Sequence, residues 1–234
     1  MQDLDSRVDR LAHRRRTLPE LAEIADLRQQ RDEAADQIVV AQTEVDDLAR
    51  EQRKADTDVE QVKARRVRNQ TRLDQGQVGS PKELQSLQHE IETLERRISD
   101  LEDAELEVME RLETAQTQLD QLKTSISGYD EALGSLEQRR DAAMVEIDGE
   151  VQQAEAERAQ IVSGIPGDLL KLYERLRASH GGVGAAALVQ RRCQGCRLEL
   201  NAADLREIAT APDDDVVRCE ECQRILVRTG ESGI

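Results

Sequence analysis

Residues 84–112 read LQSLQHEIETLERRISDLEDAELEVMERL and begin the longest apolar repeat in the chain, which extends to residue 161. Steps of alternately three and four residues from Leu84 reach 23 positions, of which 19 are apolar and four are polar: Glu105, Arg140, Glu150 and Glu157. A sustained repeat of 3.5 residues predicts a helix that lays a narrow stripe on a partner helix and supercoils around it. A helix lying on a globular core would need a broader apolar face. We therefore expect a coiled coil.

A weaker repeat precedes it, from Ile38 to Leu73. Polar residues interrupt this second stripe at Gln52, Arg66 and Asn69. Such interruptions usually fix the register or the partner of a coiled coil rather than add stability, and asparagine is the best attested example. The two repeats together predict two long helices that pair with each other.

A turn separates the two repeats at residues 75–81, QGQVGSP. Ser80 and Glu83 have the spacing of a capping box, and Pro81 suits the first position of a helix because its missing N–H is not needed there. Long helices joined by so short a turn must be antiparallel neighbours. The expected tip of this hairpin lies near Val78.

The N-terminal segment has its own helical pattern at residues 2–16, followed by a break near 17–19, TLP. Equal steps from the tip place this break opposite Glu137, so the short helix continues the hairpin. Gly128 and Gly134 fall close to the same level on the other arm. We therefore expect a bend or hinge at this height.

Beyond residue 163 the composition changes. Asp168 is expected to cap a short helix whose inner face carries Leu169, Leu172, Tyr173 and Leu176. Strand-like patterns follow at 183–190, 197–200 and 223–228, and a short helix is expected at 201–209.

Four cysteines form two close pairs in this C-terminal segment, Cys193-x-x-Cys196 and Cys219-x-x-Cys222, with 22 residues between the pairs. Each pair can hold one edge of a metal ion from a tight turn, and two pairs complete a tetrahedral thiolate site that suits one structural Zn²⁺. A thioredoxin-like dithiol, an iron–sulfur cluster and four metal-free thiols are the competing interpretations. The doubled pair and its spacing favour zinc, which would supply much of the folding free energy of a lobe with few large side chains.

The predicted fold is thus mainly α: a long antiparallel coiled-coil helical hairpin over residues 1–163 and a small α+β zinc-ribbon domain over residues 164–234. Composition agrees, because 35% of the 234 residues are charged and the chain has no Phe, no Trp and only two Tyr, too few bulky side chains for a large compact core.

Composition also bounds the function. A net charge of −16 argues against broad adhesion to nucleic acid or anionic membrane. The first 16 residues contain no apolar signal segment, and no apolar run approaches membrane-spanning length, so we expect a soluble, cytoplasmic protein with no membrane contact. The histidines cannot be assembled with a nucleophile and an acid, and there is no phosphate-binding glycine loop, so we expect no enzymatic activity.

One basic cluster stands out in this acidic chain. It surrounds the hairpin tip, and we call its six members the tip cluster: Lys63, Arg65, Arg66, Arg68, Arg72 and Lys82. Such a cluster can contact phosphate or an acidic partner, but solvated helix surfaces that balance nearby acids look the same. The absence of Phe and Trp removes the stacking platforms used in single-strand recognition.

The motifs together resemble the bacterial C4-type zinc ribbon family. The resemblance rests on GSPKELQSLQHEI at 79–91, YERLR at 173–177, and Cys-x-Gly-Cys followed by Cys-x-x-Cys-x-Arg-Ile-Leu, and it spans essentially the whole chain. It implies a helical hairpin, a zinc ribbon and zinc ligation by the four cysteines. Most members have no known function, and the flagellar regulators among them are associated with an alternative sigma factor and messenger RNA. Gln223 departs from the glycine that usually follows the last cysteine, so the backbone of the second turn is expected to differ.

The leading functional hypothesis is a non-catalytic adaptor or scaffold, monomeric with an intramolecular hairpin, that presents the hairpin and the zinc ribbon to protein or nucleic-acid partners. A nucleic-acid-binding protein that uses the tip cluster is the second hypothesis. An RNA-polymerase channel factor that delivers acidic residues at its tip is the third. Between Gln75 and Lys82 there is no Asp or Glu, which argues against it.

Overall fold

The computed structural model describes all 234 residues. Its elements in chain order are α1 (Gln2–Arg16), α2 (Pro19–Asp74), α3 (Pro81–Val162), α4 (Gly167–Ser179), β1 (Ala185–Val189), β2 (Arg192–Cys193), α5 (Ala202–Thr210) and β3 (Ile225–Val227). The mainly α fold and the long helical hairpin are confirmed. The chain divides into two compact units, one made of residues 1–22 and 137–234 and the other of residues 23–136. The predicted domain boundary at 163 and 164 lies inside the first unit.

The second unit consists of the antiparallel arms of α2 and α3 and their tip. Every buried residue of α3 along its whole length belongs to the stripe predicted from Leu84. Val45 and Leu48 of α2 form one core cluster with Ala115 and Leu119 of α3. Each arm of this unit spans roughly 80 Å at about 1.5 Å per residue.

The tip is capped as predicted. The Glu83 N–H donates to the Ser80 hydroxyl over 3.2 Å, and the Glu83 carboxylate accepts a 3.0 Å hydrogen bond from the Gly79 N–H. Pro81 is the first residue of α3. These bonds satisfy amides that the start of a helix leaves without partners.

In the first unit, α1 and the start of α2 pack on the last part of α3. The predicted break is present, because α1 ends at Arg16 and α2 begins at Pro19. Leu18, inside the break, is buried with Leu11 and Ile147. Helix α3 is uninterrupted at Gly128 and Gly134, so only the N-terminal arm of the hairpin is broken.

The C-terminal lobe of the first unit contains a three-stranded sheet with the order β2-β1-β3, in which β1 is antiparallel to β2 and parallel to β3. One core joins the sheet and α5 to the cysteines, around Leu188, Leu205 and Leu226. A second core joins β3 to Tyr173 and Leu176 of α4. The strands are shorter than predicted, but α5 lies one residue from its predicted position.

Two local predictions are wrong. The segment 197–200 forms no strand, because it contributes only a single bridge between Glu199 and Arg192. Asp168 does not cap α4; Pro166 occupies the cap position without a side-chain hydrogen bond, and Asp168 lies exposed in the first turn. Elsewhere in the fold, none of the helices combines the length and the apolar character that a membrane span requires.

Candidate metal centre

The four cysteines converge at one point of the C-terminal lobe. Their sulfur atoms all lie within 4.8 Å of one another, and the Sγ atoms of Cys193 and Cys222 and of Cys196 and Cys219 are 3.8 Å apart. A tetrahedral zinc site with Zn–S distances of about 2.3 Å has sulfur–sulfur edges of about 3.8 Å. The donor set and its spacing therefore fit Zn²⁺. Cys193 and Cys219 are buried and the other two are half-buried.

Two turns of the same design present these thiols. In the first, the Arg197 N–H donates to the Cys193 carbonyl over 2.7 Å, and in the second the Gln223 N–H donates to the Cys219 carbonyl over the same distance. Both donors have left-handed backbones, with φ of 65° at Arg197 and 62° at Gln223. The expectation that the second turn differs because it lacks glycine is wrong. Gln223 adopts the required conformation, at a cost of about 1–2 kcal/mol.

Gly195 has a different role from the one its place in a turn suggests. Its φ is not positive, and its N–H points at the Cys193 sulfur, 3.4 Å away. A Cβ at this position would lie 2.7 Å from Cδ of Arg224 and 3.1 Å from Cβ of Ala186. Glycine is therefore needed because Arg224, two residues after the last cysteine, crosses directly over the first turn.

The environment of the thiols differs among the cysteines, and the two cysteines of the second turn have pKa values shifted in opposite directions. Burial raises the pKa of Cys193, and burial raises the pKa of Cys219 to about 12. Burial also acts against ionisation of Cys222, but hydrogen bonds from the Arg224 backbone and guanidinium outweigh it and lower the pKa of Cys222 to about 7. Buried thiols that resist ionisation become good ligands when a divalent cation stabilises their thiolates.

Comparison with known proteins agrees with this geometry. Residues 1–181 match the family described as the CT398-like coiled coil hairpin domain, and residues 192–226 match the C4-type zinc ribbon domain. The chain belongs to the CT398-like hairpin family. The resemblance found in the sequence is thereby confirmed. The C4-type ribbon and its four convergent cysteines fit one structural Zn²⁺.

Relatives of this CT398-like chain span nearly its full length. The uncharacterized protein Rv2229c of Mycobacterium tuberculosis is 35% identical over 225 residues, which cover 96% of this chain and 91% of the relative. The uncharacterized protein ML1638 of Mycobacterium leprae is 31% identical over 221 residues and 94% of each chain.

Solved structures of similar fold are also known. One from Mycobacterium smegmatis has a TM-score of 0.81 and 35% identity, covering 97% of this chain and 94% of its own. CT398 from Chlamydia trachomatis has a TM-score of 0.67 and 19% identity with the same coverage. The latter likeness is one of fold alone.

The tip cluster is arranged differently from a free basic patch. Four of its members form ion pairs with acids on the opposite arm. These are Lys63 with Glu102 at 2.8 Å, Arg65 with Glu90 at 2.5 Å, Arg66 with Glu95 at 2.7 Å and Arg72 with Glu83 at 3.4 Å. The Arg65 pair also lowers the pKa of Glu90. Arg68 and Lys82 are exposed and make no ion pair, so they are the two free cations of the cluster.

A buried polar cluster in the first unit was not predicted. Asp5 of α1, 2% exposed, accepts hydrogen bonds from the Arg158 guanidinium (2.6 Å) and the Tyr173 hydroxyl (2.5 Å). Arg158 also pairs with Glu174 of α4. Burial, then the Asp5 hydrogen bond, raises the pKa of Tyr173. The only sequence signal is Tyr173 itself, one of two tyrosines in a chain that has no Phe or Trp.

Proposed function

We propose that this protein is a non-catalytic adaptor that holds a protein partner at the hairpin tip and uses the zinc ribbon as a metal-stabilised second module. The observation that carries the proposal is the exposed surface of the tip with its two unpaired cations. Residues 75–80 lie outside the helices, and beside them Arg68 and Lys82 present charges that no acid of this chain neutralises. Val67, next to Arg68, is 57% exposed.

The closed metal site supports a structural role for the ribbon. Four thiolates satisfy a tetrahedral zinc completely, whereas catalytic zinc sites keep one position open for water or substrate. Zinc there stabilises the turns of Cys193 and Cys219 and supplies folding free energy. The surfaces around the site are then available for recognition.

The ion pairs of the tip cluster favour a protein over nucleic acid. Nucleic-acid affinity rises with the number of phosphates that free cations neutralise. With four of the six cations engaged by acids of the opposite arm, two are left for a partner. Two cations beside an exposed valine suit an acidic protein surface with an apolar centre.

The test must separate the two kinds of cation. Reversing the charge of Arg65 or Arg66 would set glutamate against Glu90 or Glu95 and disturb the pairing of the arms itself. The informative variant is the double change Arg68→Glu and Lys82→Glu. A matched control is Lys54→Glu with Lys123→Glu, because both lysines are exposed, make no ion pair and lie on the same two helices.

Affinity capture from lysate with wild type, tip variant and control, each with and without nuclease, reads out the outcome. We expect a protein retained by wild type and control and lost by the tip variant, with binding that weakens as salt is raised. Capture that the tip variant retains would place the contact elsewhere. Capture abolished by nuclease would establish nucleic acid as the partner.

A further inference from the structure

A short chain of hydrogen bonds connects the second cysteine turn to the N-terminal helix. It starts at Arg224, two residues after Cys222. The Arg224 carbonyl accepts from the Cys219 N–H over 2.9 Å, and its guanidinium donates to the carbonyls of Val183 (2.9 Å) and His180 (3.1 Å). One residue of the metal-binding turn thus fixes both ends of the loop 180–183.

That loop in turn holds the first turn of α1. The Gln2 side chain donates through Nε2 to the Gly182 carbonyl over 2.9 Å, and its Oε1 accepts from the N–H groups of Gly184 (2.8 Å) and Ala185 (3.2 Å). The Gln2 side-chain amide therefore both donates to and accepts from this segment, as the peptide group of an adjacent strand would. The three backbone groups lie within four residues, from the loop to the first residue of β1, so this pairing depends on the whole segment keeping its shape. The Gln2 Oε1 also accepts from the Tyr173 hydroxyl over 3.1 Å.

The remainder of α1 is held mainly by α3, and Asp9 adds an ion pair with Arg177 of α4 at 2.8 Å. Leu11 packs against Ile147 of α3, and Arg7 pairs with Glu150 of α3 at 3.1 Å. Loss of the loop contacts would therefore loosen the beginning of α1 and leave its second half packed. The contact between Asp5 and Tyr173 belongs to the part that loosens, because Tyr173 packs with Ile225 of β3.

We propose that zinc loading of the four-cysteine site controls the docking of residues 2–5 of α1, so that the beginning of the N-terminal helix is a metal-dependent latch on the lobe. Zinc holds together turns that the small core around them stabilises weakly, and Arg224 extends from one turn across Gly195 of the other to the loop. Without metal, the anchor of the loop has no fixed position. The inference does not depend on which partner the tip binds.

Hydrogen exchange followed by mass spectrometry tests the latch on the full chain. The amides of residues 5–9 are informative, since the Asp5 N–H is the first to bond within the helix, to the Met1 carbonyl over 3.1 Å. After removal of zinc by a chelator we expect these amides to exchange about tenfold faster or more, with the arms at 23–136 unchanged. Equal protection of residues 5–9 with and without zinc would overturn the proposal.

A pair of arginine variants isolates the relay from the metal. Arg224→Ala, held at saturating zinc with its metal content measured by elemental analysis, should accelerate exchange at residues 5–9. Arg228→Ala is the matched control, because Arg228 directly follows β3, as Arg224 directly precedes it, but donates to the carbonyls of Ile208 and Ala211 at the end of α5. The same acceleration in both variants would show general loosening of the lobe and would refute a specific relay.

Reciprocity provides a test that holds even if Arg224→Ala fails to bind zinc. If zinc strengthens docking of α1, then weakening the docking must lower zinc affinity by the same factor. Gln2→Ala should therefore lower zinc affinity about tenfold in competition with a chromophoric chelator. Asp3→Ala, at an exposed site one residue away, should leave the affinity within twofold. Equal affinities for Gln2→Ala and wild type would contradict the latch.

Discussion

Asp5→Ala removes the carboxylate at the centre of the polar cluster between α1, α3 and α4. The loss of stability depends on the two donors, Arg158 and Tyr173, that the substitution leaves without the Asp5 carboxylate as acceptor. Asp5 is 2% exposed and accepts two charge-assisted hydrogen bonds, from Arg158 at 2.6 Å and Tyr173 at 2.5 Å. A hydrogen bond to a charged group contributes roughly 1.5–3 kcal/mol. Removing one member of a buried ion pair costs roughly 3–5 kcal/mol.

Two features place the expected cost near the lower end of that range. Arg158 keeps its pair with Glu174 and remains about one-quarter exposed, so water and one carboxylate still solvate its charge. We therefore expect Asp5→Ala to lower the free energy of unfolding of the first unit by about 3 kcal/mol.

Tyrosine fluorescence measures this unit alone. The chain has no Trp and two Tyr, of which Tyr129 lies in the second unit. In a Tyr129→Phe background the signal comes from Tyr173, and urea titration gives the free energy of unfolding of its surroundings. Circular dichroism would instead be dominated by α2 and α3.

The exposed neighbour Asp3 provides the control. It occupies the same first turn of α1, so Asp3→Ala reports the helix-dipole contribution alone, about 0.3–1 kcal/mol. A double-mutant cycle with Arg158→Ala should show coupling of about 1–3 kcal/mol with Asp5. A cost for Asp5→Ala no greater than that for Asp3→Ala, or additive effects of the two substitutions, would refute the reasoning.

Four further predictions follow. Cys196→Ser should abolish zinc binding and unfold the C-terminal lobe while the hairpin stays helical, as checked by elemental analysis and circular dichroism. Gln223→Gly should stabilise the lobe by about 0.5–1 kcal/mol in urea titration, because glycine adopts the left-handed backbone without strain. A hydrogen bond with Asp56 raises the pKa of Glu105 in the folded protein. The protonated pair therefore stabilises the fold at a pH below the pKa that Glu105 has in the unfolded chain. This contribution to stability is lost as pH rises through the folded pKa. Glu105→Gln should therefore raise the thermal midpoint more at pH 7 than at pH 4. Light scattering should find a monomer, and a dilution-resistant dimer paired along both chains would contradict the intramolecular hairpin.

Much of the hairpin could be predicted because the burial of a residue in a coiled coil depends on its position along the sequence repeat. A repeat of 3.5 residues specifies which side chains are buried, and the buried residues of α3 follow it without exception. A turn with a capping box then specifies antiparallel pairing. Two ion pairs of the tip follow from the register about Val78, which sets Arg65 level with residue 91 and Arg72 level with residue 84, whereas Arg66 and Lys63 pair with Glu95 and Glu102, further along α3 than that register gives. The same register sets Arg68 level with Gln88, which carries no charge.

For Asn69 the repeat predicts burial in the seam, but it does not predict which groups the side chain contacts. It is buried in the seam, as expected for a polar residue that sets register. Its amide nitrogen makes no hydrogen bond of good geometry, although it lies close enough to Glu90 to assist Arg65 in lowering the pKa of that carboxyl. The direction of a short polar side chain depends on its partner helix in three dimensions, which periodicity does not encode.

The cysteine spacing likewise predicted the convergence of four thiols, but the supports of the site lie outside the motif. Gln223 was judged by its residue type, whereas the turn is imposed by the hydrogen bond to the Cys219 carbonyl and overrides the preference for glycine. Gly195 lies in the first turn, and the space that its missing side chain leaves is filled by Arg224. In both cases tertiary contacts decided what local propensity could not.

The docking of α1 was the least accessible feature, for a physical reason. Its helical spacing marks Leu4, Val8 and Leu11 as the inner face, yet Asp5 is more deeply buried than Leu4 or Val8. A helix that contacts a single surface buries one apolar stripe, but α1 contacts both α3 and the lobe. Its second contact is polar and joins residues 168 to 183 positions apart in the chain. A buried carboxylate at such a junction requires partners in exact positions, so it stabilises one arrangement of the helix and the lobe over the alternatives. The charged beginning of the chain, which composition alone marks as solvated, is therefore where the metal-binding lobe is anchored.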